Sequence, residues 1–389
     1  MKSVQERVEA LKPEITELVK TLHANPELGM EERFAVKRQE ELLTKHGFKV
    51  ETGIAGLETS YIASYKGEKD GPRIAFLAEY DALPDLGHAC GHNMIAGIAC
   101  CGGIALKDAI DAYGGEVLVI GAPAEETDGG KVYLADAGYY DNLDAAMLAH
   151  ARHQYAQSGS MYAIEALQFE YFGKEAHASA APEKGINALD SVIQLFVSVN
   201  AMREHLRDTV RIHGIINNGG SAPNTVPAYA SARFYVRDKS TKYLREVVKK
   251  VKLCAEAAAV ATGSTLKITN FENGYDGLMT NRALSQRVTD KLYELGITVD
   301  IQPNHSKGST DMGAVSQKCP SIHAWFDITG DESVMDHTPE FALCTVSEYG
   351  LKHMYLMAES MIMAGEDLLT DPAFLEEVRE EHKRNLEAE

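Results

Sequence analysis

Three side chains able to bind a metal, His88, Cys90 and His92, fall within the stretch L-G-H-A-C-G-H-N from Leu86 to Asn93. A thiolate and an imidazole two positions apart can face one ion. Further along come P-A-E-E (Pro123 to Glu126), A-H-A-R-H around His150 and D-H-T-P (Asp336 to Pro339). Thiolate, imidazole and carboxylate together describe a hydrolytic metal centre. Taken singly each residue has a plainer explanation, since a lone cysteine is usually an inert core thiol and adjacent glutamates a solvated face. Their positions on the fold decide between the two.

The elements that must carry them alternate in the manner of an α/β protein. Arg73 to Ala78 reads as a parallel strand buried on both faces, with Glu79, Tyr80 and Asp81 at its end. A small-residue helix, Ile95 to Asp111, follows the Cys90/His92 loop. A strand from Glu116 to Gly121 then delivers Pro123 to Glu126, and a strand from Ala145 to Ala149 ends on His150. Three strands thus place candidate residues just past their carboxyl ends, where open α/β sheets bind ligands. Consecutive strand residues point to opposite faces, so Glu125 and Glu126 can share one centre only if the backbone is irregular there, and Pro123 offers such a break.

Between Leu167 and Phe271 the order becomes strand, helix, strand, strand, helix, strand, which is ferredoxin-like. From Asn281 the α/β pattern resumes with a helix (Leu284 to Leu295), a strand (Thr298 to Gln302), the loop Lys307 to Gly313, a strand (Ser321 to Phe326) and His337 beyond it. Free amides where that loop opens a short helix would receive a substrate carboxylate, with Ser309 and Thr310 as contacts and Asp311 as a helix cap. The fold expected is α/β: a mostly parallel catalytic domain formed by residues 1–166 and 276–389, interrupted by a ferredoxin-like domain over 167–275.

A net charge of −19 argues against nucleic acid or an anionic membrane as partner. Val4, Val8, Leu11, Ile15, Leu18 and Leu22 recur at helical spacing, so the start reads as a packed amphipathic helix rather than a signal peptide, and no run is expected to span a membrane. Six cysteines without a paired framework fit a reducing cytoplasm. Residues 376–389 read as a highly charged terminal helix. Lys131, Arg152, Lys174, Arg233 and Arg237 are basic groups that would balance a substrate carboxylate, and sequence does not choose among them.

The set D-A-L-P (Asp81 to Pro84), H-A-C-G-H-N (His88 to Asn93), P-A-E-E, A-H-A (Ala149 to Ala151), G-K-E-A-H-A-S (Gly173 to Ser179), N-T-V-P (Asn224 to Pro227) and M-D-H-T-P (Met335 to Pro339) resembles the aminoacylase and carboxypeptidase G family of two-metal amidohydrolases. The chain is most similar to the branch of hippurate, indole-acetyl-amino-acid and p-aminobenzoyl-glutamate hydrolases. The resemblance implies two divalent ions, zinc preferred and manganese possible, bound by Cys90, His92, Glu126, His150 and His337, with Glu125 as general base. Where the wider family has H-x-D, this chain has Glu79-Tyr80-Asp81. His92 then takes the ligand role, and Asp81 orients His92 or another ligand by hydrogen bonding. His88 and His153 are left with structural or orienting roles. The inserted domain is implied to be a lid that pairs in a homodimer, with His177 and Asn224 reaching the substrate.

The function expected is metal-dependent hydrolysis of the amide bond of an N-acyl-amino acid or small dipeptide. A catalytically silent relative that uses the pocket for binding or assembly is the alternative from another class. An aminopeptidase of the broader two-metal class is a narrower one.

Overall fold

The computed structural model describes Met1 to Ala388, so the last residue of the expected terminal helix, Glu389, lies outside the described residues. In chain order the strands are β1 (Lys49–Thr52), β2 (Tyr61–Lys66), β3 (Arg73–Ala78), β4 (Glu116–Gly121), β5 (Ala145–Arg152), β6 (Gln157–Ser160), β7 (Ala163–Phe172), β8 (Arg211–Asn218), β9 (Tyr229–Asp238), β10 (Thr265–Asn270), β11 (Pro303–His305) and β12 (Ser321–Asp327). The helices that matter most below are α1 (Val4–Ala24), α2 (Arg33–Lys45), α3 (His92–Tyr113) and α4 (Gly130–Asp136). Two compact units result. One comprises residues 1–160, 278–306 and 310–388, and the other residues 161–277 and 307–309.

The first unit is built on a six-stranded sheet in the order β1-β2-β4-β3-β5-β12. β3 pairs in parallel with β4 and β5, and β5 with β12, while β1 and β2 add an antiparallel edge. The chain leaves β3 for β4 on one side and then crosses to β5 on the other, so β3 is a topological switch point. The carboxyl ends of β3, β4 and β5 therefore open into one crevice. α3 covers the sheet, and α1 and the helix Glu348–Thr370 pack on α3. Glycine lets it approach closely: a Cβ at Gly102 would sit 2.5 Å from the Phe76 ring, and one at Gly97 2.5 Å from Val19. α3 is long and apolar enough to cross a membrane, contrary to the expectation for this chain, but it is buried as the core helix of this unit.

Some expected elements shift. α3 begins at His92, which puts that side chain on the first helical turn. β5 continues to Arg152, so His150 lies within the strand, paired with Trp325 of β12. Residues 298–302 form no strand. Ile301 buries its side chain there but Val299 stays exposed, so no two-faced alternation exists for a sheet to use. The short β11 pairs with β6 instead.

In the second unit an antiparallel sheet of order β10-β7-β9-β8 carries the helices Ala188–Met202 and Thr241–Thr262 over a core that includes Phe169, Phe234, Val192, Leu195, Val247 and Val251. This is the ferredoxin-like order that the sequence predicts. β8 is an edge strand with exposed Ile215 and Ile216.

Candidate metal centre

β3 ends in Glu79, Tyr80 and Asp81, all buried. His92 reaches the same place from the start of α3, after Gly91 in the left-handed region (φ 83°), where a Cβ would lie 2.5 Å from that of Ala151. Asp81 Oδ1 is 2.8 Å from His92 Nδ1, and Asp81 Oδ2 accepts the Glu126 N–H at 3.0 Å. One carboxylate thus fixes both the imidazole and the acidic turn.

That turn has the irregularity the sequence required, but one residue later than Pro123: Ala124 takes φ 60°. Glu125 and Glu126 are thereby sent to different partners. Glu125 Oε1 accepts a hydrogen bond from Thr310 Oγ1 at 3.0 Å. Glu126 Oε1 lies 3.7 Å from His92 Nε2 and 3.5 Å from His337 Nε2. His337 is itself in the left-handed region (φ 61°), with its N–H donating to the Ala89 carbonyl at 2.9 Å.

The potential ligand atoms of Cys90, His92 and His150 lie within 4.8 Å of one another, as do those of Cys90, Glu126 and His337, and those of His92, Glu125 and Glu126. Cys90 Sγ is 3.4 Å from His150 Nε2, while His150 Nδ1 is 2.8 Å from the Ala151 carbonyl. The carbonyl can only accept, so Nδ1 carries the proton and Nε2 is left with a lone pair. Among the described residues, His92 Nε2 and Glu126 Oε1 are buried with no hydrogen-bond partner. Orphaned buried atoms of this kind, in a set of one thiol, three imidazoles and a carboxylate, fit divalent metal ligation. Burial alone would depress His92, but Asp81 and Cys90 outweigh it and push the imidazole up. Burial pushes the Cys90 thiol up, and it would raise Glu126 too, but His337, His92 and Cys90 hold that carboxyl down at about 2.

A further acidic group, Glu79, Glu125 and Asp311, also has its oxygens within 4.8 Å of one another. Here the cation is built in. Lys131, at the start of α4 and fully buried, has Nζ 2.6 Å from Glu79 Oε1 and 2.6 Å from Asp311 Oδ1. Burial, with Glu79, Asp311 and Glu126 around it, pushes the Glu125 carboxyl well up, and Lys131 opposes this. Burial raises Asp311 to about 6 even with Lys131 beside it.

Three sequence expectations change accordingly. Lys131 is consumed by two carboxylates and is not free for a substrate. Asp311 makes no cap hydrogen bond to its helix but takes the Lys131 N–H and ammonium instead. The amides that were to receive a substrate carboxylate are occupied: those of Met312, Gly313 and Ala314 donate to Thr310 Oγ1, the Thr310 carbonyl and the Asp311 carbonyl.

In the second unit His177 and Asn224 are exposed neighbours, with the Ala178 N–H donating to the Asn224 carbonyl at 2.9 Å. Ser309 Oγ is 3.1 Å from an Arg237 guanidinium nitrogen. His88 is buried near His92, and burial drops its pKa to about 3, while His153 is half-buried. The sequence reading missed the Glu79–Lys131–Asp311 network. Its one visible signal was a glutamate standing where the wider family has histidine.

The segment 164–263 matches the model of the peptidase dimerisation domain of the M20 family. The chain is 37% identical over 346 residues to a Xaa-Arg dipeptidase of Mus musculus, covering 86% of this chain and 80% of that protein. It is 29% identical to one of the chains that make up the p-aminobenzoyl-glutamate hydrolase of Escherichia coli, over 75% of this chain and 65% of that one. Among solved structures, a dinuclear metal-binding M20 peptidase from Bacillus subtilis has the same fold, with a TM-score of 0.66 at 19% identity over 92% of this chain and 99% of that one. With this similarity and these motifs, the chain belongs to the M20 peptidase family of metal-dependent amidohydrolases and dipeptidases.

Proposed function

We propose that this chain cleaves dipeptides and N-acyl-amino acids with Glu125 as general base, and that Cys90, His92, Glu126, His150 and His337 hold two divalent ions, zinc preferred and manganese accepted. The observation that carries this is the divergence of Glu125 from Glu126, one fixed by Thr310 and the other facing the histidines. When bound, such ions would polarise the scissile carbonyl and acidify the attacking water. Glu125 Oε1 is engaged by Thr310, which leaves Oε2 to take that water's proton and pass it to the leaving amine as the C–N bond breaks. Asp81 holds His92 by Nδ1, so that Nε2 faces the centre.

Similarity to Xaa-Arg dipeptidases supports a dipeptide with a basic C-terminal residue as the first substrate class to test. From the second unit, His177, Asn224 and Ser309 are assigned to substrate contact. Arg152 and Arg237 both remain candidates for the substrate carboxylate: each is half-buried, its Nε has no hydrogen-bond partner, and it makes no ion pair among the described residues. The exposed isoleucines on the edge strand β8, in a unit that matches a dimerisation domain, support a homodimer formed there. Six free cysteines support a cytoplasmic setting.

The test is amino-acid release from a panel of X-Arg, X-Lys and neutral dipeptides and N-acyl-amino acids, with zinc, manganese or cobalt restored to chelated protein. Metal-dependent release, fastest from basic dipeptides, is expected. Two bound metals with no release from any class would overturn the proposal.

A further inference from the structure

Glu32 lies in the loop between α1 and α2, far in sequence from every motif of the site, and is fully buried. Its Oε1 accepts the Ala124 N–H at 2.8 Å and its Oε2 accepts the Thr59 hydroxyl at 2.8 Å. Ala124 is the residue that turns left-handed (φ 60°) as the chain leaves β4, a conformation that a side-chain-bearing residue resists. Thr59 in turn accepts the Tyr80 hydroxyl on its carbonyl at 2.6 Å, and Tyr80 sits between Glu79 and Asp81.

The rest of the loop grips the same two strand ends. The Glu27 carbonyl accepts the Ala82 N–H at 2.8 Å, next to Asp81. A Cβ at Gly29 would meet the Ala124 Cβ at 2.9 Å and Thr127 Oγ1 at 2.6 Å, so the loop lies directly on the acidic turn. The loop is also anchored to α2: the Glu27 carboxylate accepts the Phe34 and Ala35 N–H groups at 3.0 and 2.9 Å, and the Glu32 carbonyl accepts the Val36 N–H at 3.0 Å.

We infer that Glu32 is a positioning residue: its carboxylate holds Ala124 in the left-handed turn that separates the roles of Glu125 and Glu126. It touches neither substrate nor metal. The inference rests on the assignment of Glu125 as base and Glu126 as ligand, and it makes a claim of its own about the turn.

The test compares Glu32→Ala, Glu32→Asp, Glu32→Gln and the double variant Glu32→Ala/Ala124→Gly, reading kcat, KM and zinc affinity by competition with a chromophoric chelator. Glutamine keeps an acceptor for Ala124 and a polar partner for Thr59, so it retains most of kcat. Alanine, or aspartate if the alanine variant does not fold, lowers kcat on the order of 10²-fold with little change in KM, because the base is misplaced, and it weakens zinc binding through Glu126. Glycine adopts the turn without the Cβ penalty, so the double variant recovers most of both losses. Wild-type kcat and zinc affinity in Glu32→Ala would overturn the inference, as would equal impairment of all four variants. If the wild-type enzyme hydrolyses nothing, the proposed function fails, while the pattern of zinc affinities still decides the role of Glu32.

Discussion

The Glu79 carboxylate and the Lys131 ammonium form a 2.6 Å ion pair with neither side chain exposed to solvent. Glu79 Oε2 is only 3.6 Å from His92 Nε2, close enough to compete for the centre, but Lys131 holds its other oxygen. The glutamate that stands where the resemblance expects histidine thus has one oxygen held by an ammonium that it shares with Asp311. The same ammonium satisfies Asp311, so the acidic group that includes Glu125 has its own cation.

Lys131→Met leaves Glu79 and Asp311 buried without a counter-charge and is expected to cost about 3–5 kcal/mol of stability. Glu79→Gln added to Lys131→Met removes one of those charges and recovers part of the loss. Denaturant melts of the two single variants and the double one check this. Additive losses would show that the pair is not coupled.

Asp81→Asn keeps the size of the side chain but exchanges an acceptor for an amide at His92 Nδ1 or at the Glu126 N–H. A loss of about 10–100-fold in metal affinity or activity is expected. Isothermal titration of the chelated protein with zinc measures it. Unchanged affinity and activity would remove Asp81 as the residue that orients His92.

Burial raises the Glu32 carboxyl from 4.5 to about 7, with Asp81 adding to the rise and the hydrogen bonds to Thr59 and Ala124 opposing it. Tyr80 is a further titratable group beside it. The folded state therefore holds this proton more tightly than the unfolded chain. Its contribution to stability is largest below pH 4.5 and is lost as the pH rises towards about 7, by about 3 kcal/mol in all. Glu32→Gln cannot ionise, so in chelated protein its stability should fall less between those pH values than that of the wild type. Parallel profiles would contradict this.

Much of the fold was legible because β3, β4 and β12 are apolar runs closed by turn residues, and because the order of elements from β7 to β10 has few topological solutions. The edge strand β1 went unread because Lys49–Thr52 is short and mostly exposed, with no apolar face to announce it, and β2 beside it went unread as well. The candidate ligands were legible because cysteine, histidine and paired glutamates stand at strand ends. Ion pairs such as Glu79–Lys131, between residues on separate elements, leave no local pattern. The part played by Glu32 was hidden for the same reason, since its bond to Ala124 spans 92 residues.

Glu125→Gln tests the central claim most directly, with metal content and hydrolysis measured on the same metal-loaded sample. Glutamine keeps an acceptor for Thr310 but cannot take a proton, so turnover should fall by about 10²–10⁴-fold with both metals still bound. Wild-type turnover in that variant would contradict Glu125 as the base, and loss of a metal with the activity would mean that Glu125 is a ligand instead.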